Sequence, residues 1–457
     1  MLLLQKYKSN QKKVGISLRG VPAFLFVRLL VCMIETTTVH HRLNRKLGDE
    51  AERKGGSWVL RLAVGTVQKV LEKQTGMQIL EVRIESVAGY KMERVLSFLQ
   101  EDYKSGDLLL INTTAVRLEL GTGGYHFVVG KVTHLEETDV LPNEWGHVMK
   151  MRYSPWQLAV DSVEEQTSPY HPLFVKEDLS LEGIPVLIGE LHSLLPVAVL
   201  SLHKKNPNAR IVYVMPDGAS LPIALSQHVH QLKANRSLAA TVTTGHTWGG
   251  DRESLTIHSG LLAARHVEHA DIIVCMLGPG VAGTGTPYGF SGIQLAEVIH
   301  AVSTLEGTPF FIPRISFGDP RTRHYGVSHH TVSTLNRFAL CPALVTIPIF
   351  GDERDEVLSG QMKTIEVARK HIFIKGKVPD LSDLAALEKG YGLSFSTMGR
   401  NWEEDPAPFQ TAWMAADFVE NSLGYIVQTV NDAQHSSASL STLEALGLYL
   451  TRNEVQP

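Results

Sequence analysis

From Ile184 onward, short apolar runs alternate with segments of helical length, and this alternation limits the fold more than any other feature of the chain. "IPVLIGE", "RIVYVMP", "LAATVTT", "DIIVCMLG" and "TPFFIPRISF" are apolar enough to be strands buried on both faces. Between them lie "SLLPVAVLSLHK", "SLPIALSQHVHQLK", "RESLTIHSGLLAARHV" and "SGIQLAEVIHAVSTL", each long enough for a helix. Strand, helix and strand in this spacing imply right-handed crossovers and a mainly parallel α/β sandwich. "PALVTIPIF" and "KHIFIKG" can extend the sheet, and residues 378–450 read as mostly helical. The expected α/β domain therefore spans 185–457 with a helical C-terminal part.

Upstream the pattern differs. "WVLRLAVGTVQKVL", "MQILEVRIESV", "DLLLINTTAVRLEL" and "YHFVVGKVTHL" are β-branched and often alternating, with glycine turns at "KSGD" and "LGTGGY". Residues 56–134 are expected to form a small, mostly antiparallel, barrel-like β-domain. Residues 135–184 are polar and punctuated by proline, and read as a connection. Residues 1–55 read as a basic, poorly packed extension, with Met33 offering a later translation start.

The charge distribution excludes one broad class of function. Residues 1–54 carry eleven Lys or Arg against four Asp or Glu, which leaves the rest of the chain at −11 out of a total of −4. A body of that sign lacks the basic face of a general nucleic-acid binder. "VPAFLFVRLLVCMI" spans fourteen residues and contains Arg28. It falls short of the roughly twenty residues of a membrane helix. The three cysteines are far apart and form no CxxC, which fits a reducing, cytoplasmic setting.

Functional residues are expected where an open parallel sheet gathers its loops, at the carboxyl ends of the strands. Five polar or glycine-rich stretches follow such ends: "ELHS", "PDGAS", "GHTWGGDRES", "GPGVAGTGTPYGFSG" and "GDPRTRH". "GPGVAG" matches the dinucleotide fingerprint literally, but glycines and Pro287 continue to interrupt any helix until about Ile293. The more general reading is a loop that presents backbone N–H groups to an anion. Gly278, Gly280, Gly283, Thr284, Gly285 and Thr286 are its candidate residues. Arg314, Arg321 and Arg323 are the candidate counter-charges, since a guanidinium fork matches carboxylate or phosphate oxygens.

His246, Asp217 and His324 are the candidate proton-handling residues. Asp251 is expected to cap the helix after it, and Asp217 either closes a turn or faces the crevice. Alternatively, Asp319 pairs with Arg321 or Arg323 simply to hold its loop. His329 and His330 are consecutive, so a helix or strand sends their rings in different directions. His192, Asp217, His246 or Asp319 can complete a metal site with them, but no spacing matches a compact metal motif. Metal is therefore placed below anion recognition, and no metal ligand is assigned.

The stretches "INTTAVRLELGTGGYHFVV", "YVMPDGASLPIA", "TTGHTWGGDRES", "LLAARHVEHADIIVCMLGPGVAGTGTPYGFSG", "PRISFGDPRTRHYGVSHHT" and "STMGR" resemble the bacterial family known as domain of unknown function 3866. The resemblance covers roughly residues 57–420. It implies no activity, cofactor or catalytic residue, although Arg400 of "STMGR" becomes a further anion candidate.

The leading expectation is a cytoplasmic enzyme of unassigned class acting on a small anionic or phosphorylated ligand. No nucleic acid or membrane partner is expected, the cofactor is unknown, and self-association into a homo-oligomer is open. Two alternatives stand beside it: a metal-dependent hydrolase using His and Asp ligands, and a non-enzymatic binding or assembly module.

Overall fold

The computed structural model describes residues 61–86, 89–99, 101–117, 123–132, 146–152, 156–366, 370–432 and 440–453. The basic extension and the alternative start at Met33 lie outside the described residues. Strands β1 (Leu62–Gln74), β2 (Met77–Ser86), β3 (Gly89–Ser97), β4 (Leu108–Asn112) and β5 (His126–Lys131) close a barrel in the order β1-β2-β3-β5-β4. All pairs are antiparallel except β3 with β5, which is the connectivity of the OB-type Greek-key barrel. Two register shifts let the long β1 bend around the closure. Gly65 is required there, because a Cβ would lie 2.5 Å from Val82 Cγ1. Sequence reading passes over β3, whose Lys91, Glu93 and Arg94 break the apolar alternation.

Inside the barrel pack Val67, Leu80, Val82, Val95, Leu109 and Ile111. Its outer residues Met77, Ile79 and Leu96 pack on Ala224 and Leu225 of the α/β part. A short hairpin follows, β6 (Val148–Lys150) with β7 (Leu158–Val160).

The main sheet contains β8 (Pro185–Gly189), β9 (Ile211–Met215), β10 (Ala240–Thr244), β11 (Arg252–Ser254), β12 (Ile272–Met276) and β13 (Thr308–Ile312). Beyond the small hairpin of β14 (Ile315–Ser316) and β15 (Gly326–Val327), it gains β16 (Leu344–Ile349) and β17 (Ile372–Lys377). A last small hairpin pairs β18 (Ser396–Thr397) with β19 (Arg400–Asn401). The eight strands run β11-β10-β9-β12-β8-β13-β16-β17, and every neighbouring pair is parallel. The chain is thus a small, mostly antiparallel barrel followed by a parallel α/β sandwich with a helical C-terminal part.

Each strand buries alternate side chains on opposite faces. Leu187, Tyr213, Val274, Phe310 and Leu344 face the helices Leu195–Lys205, Gln227–Ala234, Leu381–Tyr391 and Ala407–Asp432. Ile188, Val214, Cys275, Phe311 and Val345 face Ile257–Leu262, Gln294–Thr304 and Arg354–Glu366. After β8 the chain turns to the first face, and after β12 it turns to the second. Because β8 and β12 are neighbours, their exits diverge and open a crevice at the strand ends.

One helix boundary differs from expectation. Arg252–Ser254 is an edge strand, and the helix begins at Ile257 with a capping box between Thr256 and Ser259. Asp251 does not cap it; its carboxylate accepts from the backbone N–H and hydroxyl of Thr241. The β6–β7 segment protects this sheet edge, with Ser162 bridging Glu253. Lys150, 0% exposed, donates to Glu253 Oε2 at 2.6 Å, Thr247 O at 2.6 Å and Thr243 O at 3.2 Å. All three ammonium hydrogens are used, so the lysine pins the hairpin to the sheet.

Candidate metal centre

Glu190 leaves β8 and Arg314 leaves β13, so adjacent strands deliver both to the same crevice. They are 4% and 6% exposed, and Arg314 Nη1 donates to Glu190 Oε1 at 3.1 Å. The segment after β14 turns back through β15, and Ser328 caps the helix His329–Ser333. The Arg314 backbone N–H donates to Thr331 Oγ1, and Ser328 N–H donates to Arg314 O. These bonds fix the helix start over the strand exit.

That arrangement brings His324, His329 and His330 together. One ring nitrogen from each lies within 4.8 Å of the other two, and the ring centroids of His329 and His330 are 4.4 Å apart. His330 Nδ1 meets Glu190 Oε1 at 2.6 Å, and its ring stacks on Phe290 at 4.1 Å with planes 7° apart. His324 Nδ1 meets Ser328 Oγ at 2.8 Å. With both Nδ1 atoms engaged, the Nε2 atoms of His324 and His330 remain as ligand atoms. His329 Nε2 is buried without a hydrogen-bond partner among the described residues.

The chemistry of this donor set fits a metal ion. Nitrogens bound at about 2.0–2.1 Å to one tetrahedral ion stand about 3.3 Å apart, so ring movements of about an ångström close the site. Glu190 and Ser328 supply the outer hydrogen bonds that orient imidazole ligands. Burial lowers the proton affinity of His324, to a pKa of about 3, and also that of His329, with the neighbouring cationic groups adding to the effect. Both are neutral at ordinary pH.

The glycine loop packs against the cluster. A Cβ on Gly283 would lie 3.3 Å from His330 Cε1 and Nε2, and one on Gly292 would lie 3.1 Å from Glu190 Cδ. Both positions keep room for the site residues. The loop hydroxyls are turned inward: Thr284 donates to Gly289 O, and Thr286 accepts from Gly289 N–H. Gly278 and Gly280 instead line a cavity of about 10 Å³ with Pro216, Gly218 and Thr247. That volume suits about one water molecule, not a substrate.

The other expected site residues separate into distinct places. Arg321 forms a bidentate pair with Asp319 at 2.8 and 2.6 Å, which holds the Asp319 carboxyl well below the usual carboxylate range. Arg400 reaches Asp405 at 3.3 Å and Asp319 at 3.5 Å. Arg314 serves Glu190. Arg323 is exposed, with no hydrogen-bond or ion-pair partner among the described residues, and a Cβ on Gly285 would lie 3.9 Å from its guanidinium carbon.

Asp217 accepts from Ser220 N–H at 3.2 Å and His246 N–H at 2.8 Å, while His246 Nδ1 accepts from Met151 N–H at 3.0 Å. These bonds tie Asp217 and His246 to each other and to the β6 side, not to the histidine cluster. His192 is buried between Ser226 Oγ at 2.6 Å and Tyr213 Oη at 3.3 Å, and burial pushes its pKa down to about 3. It is a structural, uncharged imidazole. Glu190, the one acidic member of the cluster, is missed at the level of individual residues although it opens the "ELHS" stretch.

The fold and site define an α/β protein with an appended five-stranded barrel and an imidazole cluster at the strand ends of its parallel sheet. Residues 95–416 match the family described as a protein of unknown function, DUF3866, and the chain belongs to that family. No curated protein matches it. Among the described residues, no helix is long and apolar enough to cross a membrane.

Proposed function

We propose that this protein is a metal-dependent enzyme of hydrolytic type, with His324, His329 and His330 as the metal ligands. The observation that carries this reading is the convergence of three imidazole nitrogens within 4.8 Å, two of their rings being held through Nδ1 by Glu190 and Ser328. Three protein nitrogens would hold the ion and leave a position for water, as in catalytic rather than closed structural sites. A zinc-like ion there would acidify a water molecule and polarise a substrate oxygen. In hydrolysis, the water oxygen bonds to the electrophilic centre, the scissile bond breaks, and the water proton passes to the leaving group.

Glu190 holds His330 in the Nδ1–H tautomer, and Ser328 Oγ can accept from Nδ1–H of His324 in the same way. Phe290 keeps the His330 ring in one plane. The pairing of Arg314 and Arg321 with carboxylates supports placing the metal reading first. An anionic substrate remains part of this reading, with one arginine left to meet it. A cytoplasmic setting belongs to it as well, supported by the free Cys275 and Cys341.

Protein stripped with a chelator and assayed against a panel of carboxylic and phosphoric esters tests the proposal. Hydrolysis should vanish on stripping, return with zinc or cobalt, and stay absent in H329A. Full hydrolysis by the stripped protein would refute it.

A further inference from the structure

Gly283 and Gly285 are two residues apart, yet they border two different groups. A Cβ at the first would lie 3.3 Å from His330 Nε2, and a Cβ at the second would lie 3.9 Å from the Arg323 guanidinium carbon and 4.0 Å from its Nη2. The absence of side chains at both positions lets the loop backbone lie close to both groups, beside the imidazole cluster at Gly283 and beside a guanidinium at Gly285. Gly285 has φ of +75°, a conformation that glycine adopts without strain, so the loop is shaped as well as thinned at this point.

Arg323 differs from its neighbours in being unspent. Asp319 takes Arg321 and part of Arg400, Asp405 takes the rest of Arg400, and Glu190 takes Arg314. Arg323 alone in this group has no carboxylate partner among the described residues. It sits one position before the ligand candidate His324. An exposed arginine adjoining one of three clustered imidazoles has the chemistry to grip an oxyanion whose other end reaches the metal.

We infer that Arg323 is the specificity-determining residue of the site, and that it selects substrates carrying an oxyanion, a phosphate or a carboxylate, bound at its exposed guanidinium beside the Gly283–Gly285 loop. The inference rests on the metal reading above. It adds the class of substrate and the residue that recognises it. The two sources of oxyanion differ in charge and in the number of acceptor oxygens, so they are separable by titration.

The test uses the full chain loaded with cobalt(II), titrated with inorganic phosphate and separately with acetate, and followed by the visible absorption of the metal. Either anion should perturb the spectrum, and the one bound more tightly identifies the substrate group. R323Q should weaken that anion at least tenfold while leaving cobalt affinity unchanged, and R323K should recover part of the loss. Equal anion affinity in wild type and R323Q, or no response to either anion, would overturn the assignment. Failure of cobalt to bind would refute the metal reading instead. The role of Arg323 would then be decided by phosphate calorimetry on the metal-free chain: heat abolished by R323Q supports it, and heat that is absent or unaffected removes it.

Discussion

Glu190 Oε1 stands 2.6 Å from Nδ1 of His330, and the same oxygen accepts from Arg314 Nη1 at 3.1 Å. The buried carboxylate thus orients a ligand candidate and neutralises a buried guanidinium at once. E190Q keeps the shape and an acceptor for Nδ1–H but removes the charge, and it should weaken metal affinity about 10–100-fold, the usual scale of an outer-shell change. E190L leaves Arg314 buried without its counter-charge and should cost about 3–5 kcal/mol of stability. Metal titration and denaturant unfolding of the two variants separate these effects. Unchanged metal affinity in E190Q would contradict the positioning role.

Gly283 has a steric duty toward the same ring. In G283A the new Cβ would press on His330 at 3.3 Å, closer than ordinary contact. The variant should fold with near wild-type stability and bind metal about tenfold more weakly, on the same outer-shell scale. Loss of folding with no change in ligand geometry would show that the loop serves the fold rather than the site.

Lys150 and Glu253 form a second buried pair, away from the histidines. Burial pushes the Lys150 ammonium down and the Glu253 carboxyl up in pKa, so each depends on the other to stay charged. K150M should destabilise the protein by about 3–5 kcal/mol, because it strands Glu253 and two carbonyl oxygens. K150M/E253Q should recover part of that loss, as read by urea unfolding. Metal affinity should not change in either variant.

Asp417, half-buried on the helix Ala407–Asp432, has its pKa raised from 3.8 to about 6 by burial, with Lys205 opposing and Glu420 reinforcing the shift. The folded chain therefore holds a proton that the unfolded chain has already lost between about pH 4 and 6. Stability contributed by this group falls as pH rises through that window and stays low above it. D417N should unfold at a higher temperature than wild type at pH 7–8, and the advantage should disappear near pH 4. A pH-independent difference would contradict the assignment.

The parallel sheet was legible because its strands are buried on both faces, which leaves continuous apolar runs such as "IPVLIGE" and "DIIVCMLG". Arg252–Ser254 was not, since a three-residue polar edge strand carries no such run and its arginine and serine look like a helix entry. The loops at the strand ends were legible by position, but the pairing of their charges depends on tertiary contacts. Asp405, which engages Arg400 and Ser316, lies far from Ser316 in sequence. The proximity of the three histidines is not legible in the sequence for a geometric reason. Consecutive His329 and His330 are expected to diverge on a helix, yet at its first turn their ring centroids lie 4.4 Å apart, and the returning β14–β15 hairpin places His324 beside both.

Elemental analysis of protein purified without an affinity tag tests the central claim most directly. The account predicts one transition-metal ion per chain, retained through gel filtration and lost in H329A and in H330A, with both variants folded by circular dichroism. Wild-type protein free of metal after purification in zinc-supplemented medium, or variants that retain a full equivalent, would contradict it.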